Sequence, residues 1–146
     1  MAVCTFFGHR ECPDSIQARL KKLLINLIEE QHVELFYVGH QGAFDRIVRN
    51  TLRELTFLYP HVRYYIVLAY MPQSPKEYDE LDYSLTLLPD GIEIIPKRFA
   101  ISWRNKWMIQ QADYVITYVT HSWGGAAQFE KAARCQGKTI FNLSAQ

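Results

Sequence analysis

The chain has almost no excess charge of either sign: sixteen basic and fifteen acidic residues leave a formal net charge of +1. A balance so close to neutral gives no bulk attraction for nucleic acid, so a nucleic-acid partner is not expected. The place to look for a local exception is the basic stretch PKRFAISWRNKW, residues 96–107. Cysteine is also scarce. Cys4, Cys12 and Cys135 make an odd number with no CxxC spacing, which argues against a disulfide framework and against a zinc site. No metal is expected, and reduced thiols fit a cytoplasmic chain. No apolar run approaches the roughly 18–20 residues of a membrane span, and the opening MAVCTFFGHRECP lacks the basic-then-apolar layout of a secretory signal. Internal repeats, charge blocks and low-complexity tracts are missing too. What is present is core material. The 146 residues are 49% hydrophobic and 14% aromatic, enough to fill one compact domain over 1–146. The aromatic surplus also hints at a homo-oligomer.

Periodicity gives the order of elements. AVCTFFG (Ala2–Gly8) is short, apolar, rich in β-formers and closed by glycine, as a buried strand should be. In the following segment Ile16, Leu20, Leu23, Leu24, Leu27 and Ile28 recur every three to four residues. That is one face of a helix, with Asp14 or Ser15 as its N-cap. ELFYVG (34–39) reads as the second strand, and 43–59 as a helix with Phe44, Ile47, Val48, Leu52 and Leu55 on one face, ended by Pro60. VRYYIVLAYMP (62–72) is a third strand. Residues 73–95 have weak periodicity and are treated as a variable excursion. A helix over 101–112, a strand over 113–120, a helix over 125–136 stopped by Gly137, and a strand over 138–143 complete the chain. Trp103, Trp107 and Met108 are assigned to the core, and KRFAISWRNK to a solvated basic face. Alternating strands and helices predict an α/β, Rossmann-like, doubly wound domain. Its mostly parallel five-stranded sheet has the order 3-2-1-4-5, with helices on both faces.

In such a sheet ligands bind at the carboxyl ends of the strands that flank the switch point, here the first and fourth. Three loops open there: FFGHRECPDS, VGHQGAFDR and THSWGGAAQF. Each holds glycine and leads into a helix, whose N-terminus offers free N–H groups to an anion. Arg10 can hold a phosphate bidentately, His9, His40 and His121 add donors, and Tyr118, Trp123 and Phe44 offer surfaces on which a base or sugar stacks. The expected ligand is a nucleotide-derived small molecule. Its binding residues are Gly8, His9, Arg10, Gly39, His40, Gly42, Asp45, Ser122, Gly124 and Gly125. The dinucleotide fingerprint GxGxxG is absent from the first loop, which disfavours NAD oxidoreductase chemistry, and no cofactor is expected.

CTFFGHRECP, FYVGHQGAFDRIV and MIQQADYVITYV…SWGGAAQFEKAARCQGKTIFNL together resemble the SLOG superfamily. That group joins the Smf/DprA proteins, the LOG phosphoribohydrolases and many small stand-alone bacterial and prophage proteins, to which the match is closest. The resemblance runs over nearly the whole chain except 73–95. It implies a Rossmann-like fold that senses or sequesters a nucleotide-like ligand, of ADP-ribose type for example. The alternative is a LOG-like N-glycosidase acting on nucleoside monophosphates. LOG enzymes carry PGGxGTxxE. Here WGGAAQFEK keeps Gly124 and Gly125 but places Lys131 at the glutamate position, with Glu130 one residue away and about 100° round the helix. The candidate catalytic acids are therefore Asp45 and Glu130. Asp45, near two histidines and an arginine, is expected to have a lowered pKa. Neither Cys4 nor Cys12 has the setting of an activated thiolate.

Overall fold

The computed structural model describes residues 1–71 and 85–144. The strands are β1 (Ala2–Gly8), β2 (Val33–Val38), β3 (Arg63–Val67), β4 (Thr86–Leu87), β5 (Tyr114–Tyr118) and β6 (Thr139–Asn142). The helices are α1 (Gln17–Glu29), α2 (Gly42–Leu58), α3 (Lys97–Gln111) and α4 (Gly125–Cys135). The sheet order is β4-β3-β2-β1-β5-β6, and every described pairing is parallel. The chain winds outward from β1 through β2 and β3 to β4, then crosses back by α3 to place β5 on the other side of β1. The order expected from sequence is present, with one strand more. The added strand, β4, is two residues long and falls inside the excursion at 73–95. Two residues are too few to show periodicity, and residues 73–84 of that excursion lie outside the described residues.

The strands bury both faces. Cys4 and Phe6 of β1 and Phe36 and Val38 of β2 pack with Leu20, Leu24 and Leu27 of α1 and with Phe44, Val48, Leu52 and Leu55 of α2. On the opposite face Phe7, Val67 and Val115 pack with Met108 and Ile109 of α3 and with Phe129 and Ala133 of α4. Alternate residues along β1 thus serve separate cores, as the period-two strand geometry requires.

Two boundaries differ in an informative way. A 3-10 turn over Asp14–Ile16 precedes α1, with Pro13 at its start, and neither Asp14 nor Ser15 makes the expected side-chain cap. Helix α3 begins at Lys97, directly after Pro96, four residues before the expected Ile101. Its buried residues are Ala100, Arg104, Asn105, Met108 and Ile109. Two of the five are polar, so an apolar-periodicity reading starts the helix late and assigns Arg104 to solvent.

Candidate functional site

Strands β1 and β5 end side by side, Gly8 paired with Tyr118, and the His9 N–H donates to Tyr118 O at 3.2 Å before the two loops diverge. Between them opens a cleft of about 490 Å³. The first loop lines it with Gly8, His9, Arg10 and Glu11, the cap and start of α4 with Gly124, Gly125 and Ala126, and the cap and first turn of α2 with Gln41 and Asp45. Helix α3 supplies Arg104 and Asn105, and His121 stands at the rim. The cleft lies at the strand carboxyl ends beside the switch point, where the topology places a ligand.

The glycines of the three loops divide into two kinds. A Cβ on Gly8 would sit 2.2 Å from the ring of buried Phe44, and one on Gly39 would sit 2.7 Å from Asp45 Oδ2 and 3.1 Å from Arg104 Nη1. Gly42 has φ +87° and would bring a Cβ within 2.8 Å of Arg10 Cα. These three are small because protein, packed on them, leaves no room. The Ala43 N–H donates to Arg10 O at 2.8 Å and ties the second loop to the first. Gly124 and Gly125 are the other kind. Gly124 has φ +94° with His121 Cε1 at 3.8 Å as its nearest neighbour, and a Cβ on Gly125 would meet nothing within 4 Å. Both line the cleft, and no side chain caps α4 at this end.

Helix α2 presents a different N-terminus. The Gln41 N–H donates to Asp45 Oδ2 at 2.9 Å, so the helix's own carboxylate takes an orphan donor and complements the dipole. Asp45 is only 7% exposed. Its carboxyl is raised above the ordinary range, against the expected lowering. Burial is the largest cause and outweighs the downward pull of Arg104, the Gln41 N–H and Arg49. The expectation counted charged neighbours and omitted desolvation, and the histidines it relied on are not among the causes.

Arg104 is 2% exposed. Its Nε and Nη2 donate to Asn105 Oδ1 at 3.1 and 2.9 Å, and Nη1 donates to Val67 O at 3.3 Å. Burial lowers its pKa, and the charge of Asp45 opposes that. Asp45 and Arg104 both reach the space that a Gly39 side chain would fill. Sequence reading missed Arg104 and Asn105. The available signal was a polar pair on the face shared with Ala100, Met108 and Ile109.

Three rings stack at the cleft mouth. His9 lies on His121 with centroids 3.9 Å apart, and His121 lies on Trp123 at 3.7 Å. His9 Nε2 accepts from the Thr120 N–H at 2.9 Å, so that nitrogen carries no proton. Its pKa is lowered, first by burial and then by His121, while Glu130 acts the other way. Trp123 is 69% exposed and closes the stack toward solvent.

The remaining sequence candidates fall outside the cleft lining. His40 and Gly42 line a separate groove with Arg10. Ser122 is exposed and is not among the lining residues. Glu130 is buried, accepts from Thr117 Oγ1 and pairs with Arg134 at 3.5 Å. Phe44 is fully buried beneath Gly8 and offers no stacking face. Burial pushes the Cys4 thiol well up, and burial with Asp14 nearby pushes Cys12 up to about 11. Among the described residues no three His, Cys, Asp or Glu side chains converge as metal ligands, and no helix is long and apolar enough to cross a membrane.

The fold and the cleft define the class: a Rossmann-like α/β domain with its opening at the switch point of a parallel sheet. Among solved structures, the chain is similar to DNA processing protein A (DprA) from Streptococcus pneumoniae, with a TM-score of 0.71 and 17% sequence identity. The likeness covers 97% of this chain and 50% of that one, so the chain spans about half the length of that protein. It establishes the fold. No protein-family model and no curated protein sequence matches.

Proposed function

We propose that the switch-point cleft binds a phosphorylated, nucleotide-like small molecule, and that the protein senses or sequesters it. The carrying observation is the bare start of α4. Gly124 and Gly125 line the cleft, a Cβ on Gly125 would meet open space, and the first N–H groups of α4 have no capping side chain. Arg10, on the opposite wall, supplies a fork suited to the same anion. The exposed face of Trp123, stiffened by the two histidines beneath it, offers a platform for a planar base. The resemblance to the SLOG superfamily supports the same ligand class.

Titration calorimetry with AMP, ADP and ADP-ribose tests this reading. Arg10→Ala should weaken binding by about 1.5–3 kcal/mol, the range for a charged hydrogen bond, with melting nearly unchanged. Gly125→Val should abolish binding in a folded protein. Affinities that ignore both substitutions refute the site.

One observation favours a second reading. A carboxyl held above its ordinary range in a ligand cleft is the property of a general acid, and Asp45 has it. In that case the protein is a nucleoside-phosphate N-glycosidase. Recovery of unchanged nucleotide favours binding. Free base released at about 1 per second or faster, and lost in Asp45→Asn, favours the enzyme.

A further inference from the structure

A second cavity of about 570 Å³ lies along α2, lined by Arg10, His40, Arg46, Arg49, Asn50 and Arg53 among its residues. Arg46, Arg49 and Arg53 stand three and four residues apart, so they share one helix face. Seven residues of helix place the outer two about 10 Å apart along the axis. Arg49 Nη1 donates to Gly39 O at 3.5 Å, which holds it against the second loop. None of the lining residues is acidic. In a chain of net charge +1, four arginines in one groove are a local concentration of positive charge suited to an anion. Arg10 lines both this groove and the switch-point cleft.

We infer that this groove binds a chain of linked phosphates running out of the cleft past Arg10 and along α2. Several features select that occupant. Guanidinium forks match phosphate oxygens bidentately, and a row of them matches repeated phosphates. The cavity has the volume of a small-molecule site, whereas a protein partner needs a broad face of about 800 Å² per side. A second copy of this chain, meeting the groove with its own arginines, would be repelled. The groove stands on its own residues, and only its continuity with the cleft rests on the reading above.

The test uses the full chain and the double variant Arg46→Ala/Arg53→Ala, both positions being exposed. The probes are AMP, adenosine tetraphosphate, inorganic tetraphosphate, a five-residue oligothymidylate and pentaglutamate, each in competition against one fluorescent ligand. Adenosine tetraphosphate should bind the native chain more tightly than AMP. The double variant should lose at least about tenfold for the tetraphosphates while AMP stays unchanged. Oligothymidylate, if it binds, should lose about 1.4 from the slope of log affinity against log salt, and its rank against inorganic tetraphosphate tells which phosphate linkage the groove prefers. Equal loss for AMP and tetraphosphate would leave a weakened cleft and no groove. Unchanged affinity for every phosphate chain, or pentaglutamate binding as well as tetraphosphate, overturns the inference. Failure of Gly125→Val to affect AMP refutes the cleft and leaves the groove standing.

Discussion

Removing the Arg104 charge is the sharpest perturbation available. Asp45 and Arg104 are 7% and 2% exposed, and both reach the space where a Gly39 side chain would stand. At about 5 Å and an effective dielectric of about 20, their attraction is worth about 3 kcal/mol. Arg104→Met keeps much of the side-chain length and deletes the charge. It also strands the Val67 carbonyl and the Asn105 side-chain oxygen, each at about 1–3 kcal/mol. The total loss should therefore be about 5–9 kcal/mol, and roughly 10–35 °C in Tm at this chain length. In an Asp45→Asn background no carboxylate is left behind, so the same substitution should cost about 3 kcal/mol less.

The pH dependence of that loss carries the mechanism. Burial raises the Asp45 carboxyl in the folded state. Such a group contributes most at low pH, and its contribution falls as pH rises from the unfolded carboxylate pKa through the folded one. Without Arg104 the folded value climbs further, so Arg104→Met should be much less destabilised at pH 4 than at pH 7. Denaturant unfolding of the four proteins of the cycle at both pH values measures it. A loss that is equal at the two pH values, and equal with Asp45 or Asn at position 45, would show that Arg104 acts through packing and its two carbonyl contacts alone.

Three other outcomes are expected. Gly8→Ala forces a Cβ into the Phe44 ring and should cost about 1–3 kcal/mol or more, whereas Gly125→Ala meets open space and should stay within about 0.5 kcal/mol by thermal melting. His9 has a lowered pKa, so its contribution to stability is complete above the ordinary imidazole pKa and is lost as pH falls through that value toward the folded one. The drop in Tm between pH 7.5 and 5.5 should shrink in His9→Gln, whose side-chain oxygen still accepts from Thr120. Toward a thiol reagent at pH 8, exposed Cys135 should react first, Cys12 slowly, and Cys4 only on unfolding. Equal rates for the three thiols contradict these environments.

The sheet was legible because its strands alternate between two cores and the first two helices carry leucines at helical spacing. β1 and the start of α4 fall where AVCTFFG and GAAQFEK place them. What escaped lacked that contrast. β4 is two residues of a sheet edge, and α3 buries an arginine and an asparagine that solvent-facing logic assigns outward. In the cleft, sequence could name Gly8, Arg10, Asp45 and Gly124 because loops after parallel strands converge by topology. It could not say which way each residue faced, because that depends on Phe44, Arg10 and Arg104 packing from other elements.

A glycine in such a loop records that something comes close to the backbone, and the neighbouring atoms decide what. Around the VGHQGAF turn the neighbours are Asp45, Arg104 and the Arg10 backbone, so the turn is built against protein. Its helix already holds its own carboxylate at the N-terminus. From inside the cleft an anion at that helix start would meet a buried acid, whereas one at Gly124 and Gly125 would meet uncapped N–H groups, with Arg10 lining the same cleft. The two helix starts that look alike in sequence thus have opposite character. On the proposed reading the phosphate held in the cleft therefore belongs at α4, while Asp45 stays engaged with the Gln41 N–H and the charge of Arg104.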